Sequence, residues 1–112
     1  MAKVRWPFGE VTTTALSATG AQAISVDNDL TIIDGVTTEA TGNRTLNLTM
    51  PTDIKAGARM LVKSKTNGTE TTIFGTGFIA PTVTGVAGKT KVVELVYDGT
   101  QFVPTAAAAQ ID

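Results

Sequence analysis

The chain has 112 residues, nine basic and ten acidic side chains, a net charge of −1, and neither cysteine nor histidine. That length suits one domain with one core. The two missing residue types exclude disulfides, thiolate metal sites, thiol nucleophiles and imidazole general bases.

The charges are interspersed, with no basic face of the kind that grips nucleic acid, and no apolar run is long enough to span a bilayer. Threonine occurs 21 times and glycine 11 times, while charged residues make up only 17%. Threonine suits strands and glycine suits tight turns. The composition therefore predicts β-structure, part of whose surface is covered by something else.

Residues 1–20 read as an extended N-terminal arm. The start, "MAKVRWPFGE", has no apolar core of a secretory leader, so synthesis and retention in a cytoplasm are expected. Trp6, Pro7 and Phe8 follow neither a helical nor a strand period. A tryptophan is rarely left in water, so the arm either folds back on its own domain or docks on another protein.

Residues 21–105 read as the β-domain. "AISV" and "LTII" are short strands around the turn "DND", and "TLNLTM" alternates cleanly, with Leu46, Leu48 and Met50 on one face. "PTDIKAGA" suits one helical turn between Pro51 and Gly57. "RMLVKSK" and "TTIF" flank Asn67-Gly68, a strong hairpin signal, and Asp98-Gly99 joins "KVVELVY" to "FVP" in the same way. Roughly eight strands at about ten-residue spacing predict an all-β fold, a compact antiparallel β-sandwich or barrel-like domain. No internal repeat is visible, and residues 106–112 read as a flexible tail.

In "KVVELVY" both faces are mostly apolar: Val93, Leu95 and Tyr97 on one, Val92, Glu94 and Val96 on the other. A half-exposed strand shows a polar face, so this strand needs cover on both sides. Either a neighbouring subunit or the N-terminal arm would supply it.

Several motifs lead nowhere chemically. Gly88-Lys89-Thr90 carries the end of a P-loop, but Val83 stands where its first glycine belongs, and no helix follows to cradle phosphate. The stretch instead predicts a tight turn at Gly88 and a solvated Lys89. "GTGFIA" matches a dinucleotide fingerprint and runs into Pro81 instead of a helix. The Asp27–Asp29 cluster with Asp34 lacks the glycine and the bidentate acid of a calcium loop, those places being Ile32 and Thr38. Asp53, Glu70, Glu94 and Asp98 form no acid–base pair in sequence. No cofactor, no metal and no enzymatic activity are expected.

Residues 15–105 resemble a β-module of tailed-bacteriophage virion proteins. The resemblance rests on a Gly-x-x-hydrophobic strand over residues 57–62, a Thr-rich hairpin ending in Phe74-Gly75, a Gly-rich turn, and a Lys-x-hydrophobic strand running into Tyr97-Asp98-Gly99-Thr100 and Phe102. "LTIIDGVTTEATGNRTLNLT" is also similar to the first half of short head-fibre and decoration proteins. The chain also resembles the small trimeric head fibres, including those of crAss-like phages.

The resemblance implies a homotrimer on the capsid surface of a virion, made in the bacterial host cytoplasm and without membrane or nucleic-acid contact. It implies anchoring by the arm to a capsid or auxiliary capsid protein, with Lys3, Val4, Arg5, Trp6, Pro7 and Phe8 as anchoring residues. Closed three-fold symmetry would bury apolar faces, with Leu61, Val92 and Val96 as interface candidates. The alternative is a receptor- or glycan-binding module of a tail fibre, with a host-surface glycan as partner. Exposed rings would mark it, and the candidates are Phe78, Tyr97 and Phe102. A pocket with converging Glu70, Glu94 or Asp98 would mark an enzyme instead.

Overall fold

The computed structural model describes residues 11–49 and 54–112. Among them there is no helix, and none therefore long and apolar enough to cross a membrane. The strands are β1 (Val11–Ala15), β2 (Gly20–Ser25), β3 (Leu30–Ala40), β4 (Arg44–Thr49), β5 (Arg59–Thr66), β6 (Thr71–Phe74), β7 (Val83–Thr84), β8 (Thr90–Tyr97), β9 (Phe102–Pro104) and β10 (Ala109–Gln110). The all-β expectation holds.

The antiparallel expectation is corrected. The chain alternates between two sheets at every strand from β1 to β6. In the first sheet β1, β3 and β5 run parallel; in the second, β2, β4 and β6 do. Each pair of strands is thus one coil of a two-sheeted solenoid. Antiparallel strands close the far end: β8 on β5, β9 and β10 on β8, and β7 on β6. Both sheets are mixed.

The corners stack as the strands do. Thr41 N donates to Ala18 O at 3.0 Å and Asn67 N to Ala40 O at 3.0 Å, so the turns continue the ladder between the sheets. Asn67-Gly68 lies in such a corner, not in a hairpin: β5 belongs to the first sheet and β6 to the second. A two-residue hairpin of the Asn-Gly kind needs positive φ at its glycine, and Gly68 is not among the residues with positive φ. Asp98-Gly99 does make its hairpin. Gly99 has φ +103°, and Asp98 Oδ1 accepts from Thr100 N and Gln101 N. The tight turn at Gly88 is present as well, with φ +73° and Lys89 N donating to Val86 O.

Between the sheets lies one core, built from Leu16, Ile24, Ile33, Leu46, Met60, Val62, Leu95 and their neighbours. Period-2 alternation produces it: along β5, Met60 and Val62 are buried, while Arg59, Leu61 and Lys63 point away. At the closed end the rings of Phe74, Phe78, Phe102 and Tyr97 follow one another with centroids 5.3, 5.9 and 5.2 Å apart. These separations suit tilted aromatic pairs.

Two boundaries differ from the sequence reading. The β-structure starts at Val11 instead of residue 21, because "VTTTA" pairs with β3 and Leu16 enters the core. Residues 106–112, read as a flexible tail, carry β10, and Asp112 Oδ1 accepts from Thr90 N at 2.8 Å. The expected helical turn falls partly on residues 51–53, outside the described residues; residues 54–58 form a turn, with Ala58 N donating to Lys55 O.

Candidate interaction face

The two sheets turn different surfaces outward. On β2 and β4 of the second sheet the outward positions are small or polar: Ala21, Ala23 and Ser25, then Thr45, Asn47 and Thr49; on β6 they are Thr71 and a single large apolar residue, Ile73. Those side chains partly serve the coil itself, as when Asn47 Oδ1 accepts from Thr76 N at 3.0 Å.

The first sheet is apolar outward. Register places Val11, Leu30, Arg59 and Val96 in one row across it, Thr13, Ile32, Leu61 and Glu94 in the next, and Ala15, Asp34, Lys63 and Val92 in the third. Val11 is 47% exposed, and Leu30, Ile32, Leu61, Val92 and Val96 are each partly exposed. Their opposite neighbours, Ile33, Met60, Val62 and Leu95, form the core. This sheet therefore has apolar side chains on both faces, and only one face is covered by the second sheet. Contiguous exposed apolar surface of this kind marks an interaction site more often than isolated residues do.

Charges interrupt the face in opposite pairs. Arg59 Nη1 lies 3.9 Å from Glu94 Oε2 across the β5–β8 ladder. Asp34 sits beside Lys63 in register. The Asp34 carboxylate is held below its ordinary pKa, first by the Thr37 hydroxyl at 2.7 Å, then by the backbone N–H groups of Val36 and Thr37, with a smaller contribution from Lys63. Equal numbers of both signs around an apolar centre complement another copy of the same surface better than a partner of one charge.

The structure brings Leu61, Val92 and Val96 onto this one face, on adjacent strands. Sequence reading missed Val11, Leu30 and Ile32, which complete it. The signal was available: "LTII" is apolar at Leu30 and Ile32 as well as at Ile33, the same two-sided pattern as "KVVELVY". Lys3, Val4, Arg5, Trp6, Pro7 and Phe8 lie outside the described residues.

The residues proposed for other chemistries are placed elsewhere. Phe78, Tyr97 and Phe102 are 8%, 6% and 0% exposed and belong to the core, so none offers a ring to a sugar. Glu70 Oε1 accepts from Gly68 N in its own corner, Glu94 pairs with Arg59 and Thr105 on the outward face, and Asp98 holds the β8–β9 turn. Asp53 lies outside the described residues. No group of three or more acids among the described residues could hold a metal ion. A cleft of about 530 Å³ between β7 and β8 is lined by Ala80, Pro81, Val83, Val93 and Pro104, with Lys91 as its only charged residue. A second cleft, at Asp27, Asp29 and Ile54, includes none of Glu70, Glu94 or Asp98.

Arg44 was not singled out from sequence, yet it organises the interior. It is 2% exposed. Its Nη1 donates to Ser17 O and Thr38 O, and its Nη2 to Gly35 O, Ser64 Oγ and Lys65 O. These acceptors belong to three successive coils. Burial pulls the guanidinium pKa down, offset in part by Asp34 and Glu70, and an arginine this basic keeps its charge.

No protein-family model, curated protein or solved structure matches the chain.

Proposed function

We propose that the chain is a structural virion protein of a bacteriophage, a homotrimeric head fibre or capsid decoration. On this reading it attaches to a capsid or auxiliary capsid protein through Lys3, Val4, Arg5, Trp6, Pro7 and Phe8, and copies are held together by the outward face of the first sheet. The observation that carries the reading is that face: apolar, mixed in charge, and made of Val11, Leu30, Ile32, Leu61, Val92 and Val96. The likeness of residues 15–105 to short head fibres supplies the particle.

In a closed three-fold arrangement the three faces would meet together around the axis and be removed from water there. The work done is binding through buried area, contributing about 25 cal/mol for each Å² of apolar surface removed from water.

The test is mass spectrometry of purified particles of a phage that encodes this chain. Its peptides should be recovered in stoichiometric amount from intact heads. Their absence from heads, or recovery from detached tails alone, contradicts the reading; the second outcome supports a tail-fibre module instead.

A further inference from the structure

The second sheet ends before the first. Its last strand is the two-residue β7, whereas the first sheet continues from β8 to β9 and β10, which have no described strand opposite them. The gap between the sheets stays open there, as a cleft of about 530 Å³. Ala80, Pro81 and Val83 form one wall, and Val93, Pro104 and Ala108 the other. Ala80, Val83 and Ala108 pack against the core and Val93 belongs to it, so the floor is continuous with the interior.

Lys91 breaks the pattern of β8. It shares the inward period of Val93, Leu95 and Tyr97, all three buried in the core, yet it carries an ammonium. It is the only charged residue of the cleft. The inward side chain beside it on β5, Ser64, is already bonded to Arg44 and Thr72. Among the described residues no carboxylate lies within ion-pair distance of Lys91: Glu94 pairs with Arg59 and Glu39 with Lys65.

We infer that the cleft is a binding site for an aliphatic carboxylate, its chain between the two apolar walls and its head on the Lys91 ammonium. The volume falls within the range of small-molecule pockets, about 300–1,000 Å³. An ammonium without a described partner, beside apolar walls, is complementary to a single anionic head. The walls select the rest of the ligand. Pro81 and Pro104 have no N–H to offer, and the other four wall residues present only hydrocarbon side chains. The two hydroxyls of the cleft belong to exposed residues, Thr82 and Thr84. A peptide or a sugar lying between such walls would leave polar groups unpaired, a cost that an aliphatic chain escapes. Strand addition would not rescue a peptide, because β7 offers a ladder of only two residues. The cleft is separate from the outward face of the first sheet, and the inference does not rest on the virion reading.

Titration of the whole chain with decanoate, below its micellar concentration, tests the site by calorimetry and by amide chemical shifts. Decanoate should bind saturably, with one site per chain, and move the amide signals of Val83, Lys91, Val93 and Ala108. Decan-1-ol should bind about tenfold more weakly, and acetate not measurably. Lys91→Met keeps an apolar stem of similar length, so it should bind both ligands equally, at the strength the wild-type chain shows for decan-1-ol. Lys89→Met, on the neighbouring turn, should behave as wild type. Absence of saturable binding overturns the inference. Equal wild-type affinities for decanoate and decan-1-ol also overturn it, since Lys91 would then only lay its stem over the wall. So do shifts confined to Leu61, Val92 and Val96, which would place the ligand on the outward face. Tighter binding of a short apolar peptide with a free C-terminal carboxylate would contradict it as well, and assign the cleft to peptide.

Discussion

Arg44 Nη2 donates to Ser64 Oγ at 2.7 Å, and the Ser64 hydroxyl lies 2.8 Å from Thr72 Oγ1. One side chain from β4 thus reaches β5 of the next coil and, through it, β6. Its other bonds run to the carbonyls of Ser17, Gly35, Thr38 and Lys65. A parallel solenoid of unequal coils has few local contacts to set the spacing of its corners, and this guanidinium bonds all three coils at one of them.

Arg44→Ala should therefore destabilise the fold by about 3 kcal/mol or more, because buried carbonyls and Ser64 lose their donor together. Arg44→Lys should recover only part of the loss, since an ammonium cannot span the same acceptors. Urea unfolding checks both. A loss below about 1 kcal/mol for Arg44→Ala would mean that water replaces the guanidinium without penalty.

Gly35→Ala tests the same corner from the other side. A Cβ at position 35 would stand 2.7 Å from Lys63 O and 2.8 Å from Arg44 Nη2. The backbone carbonyl cannot move without breaking the β3–β5 ladder. We expect a loss of about 1–3 kcal/mol, the usual cost of overpacking, together with partial loss of the Arg44 bonds. Wild-type stability in thermal unfolding would show that the corner has slack.

How much of this was legible in the sequence varies by element. Alternation revealed the strand over residues 45–49 and the two-sided strand over residues 91–97, and Asp98-Gly99 was read correctly because its turn chemistry is local. Parallel pairing was not legible. Val11 lies beside Leu30, and Leu30 beside Arg59, offsets of 19 and 29 residues, so no fixed repeat exists to detect. Asn67-Gly68 misled because the hairpin signal is local, whereas a corner between sheets is set by stacking on residues 40–43. Arg44 shares the period-2 face of Leu46 and Leu48, which placed it inward; the habit of assigning arginine to solvent hid it. That Leu61, Val92 and Val96 share one face follows from their period-2 positions, but the register that adds Leu30 and Ile32 to them is a long-range property.

Acid should weaken the fold in a defined window. Asp34, Asp98 and Asp112 all have pKa values lowered in the folded state by hydrogen bonds: Asp34 from Thr37 and Val36, Asp98 from Gln101 and Thr100, and Asp112 from Thr90. A depressed carboxylate pKa adds stability that is present above the unfolded value, about 4, and is lost as pH falls through the lower folded value. Tm should be level between pH 7 and pH 5 and fall below about pH 4. The fall should be shallower in an Asp34→Asn, Asp98→Asn double variant. A drop already complete at pH 5 would point to other groups.

The C-terminal strand should contribute measurably. Removing residues 106–112 deletes β10 from β8 and the Asp112 bond to Thr90 N. Amide exchange at Thr90 and Val92, whose N–H groups face β10, should quicken, and Tm should fall by a few degrees, about what 1 kcal/mol represents in a domain of this size. Unchanged exchange at Thr90 and Val92 would show that β10 leaves no mark on the sheet.

Light scattering of the purified chain at micromolar concentration bears most directly on the claim that the outward face of the first sheet joins copies. The account predicts a particle of three times the 11.6 kDa chain mass. It also predicts that Leu61→Asp, in the middle of the face, shifts the mass to that of a single chain while the far-ultraviolet circular dichroism stays that of a β-protein. A wild-type chain that scatters as a monomer, or a Leu61→Asp chain that keeps the full assembled mass, would contradict it.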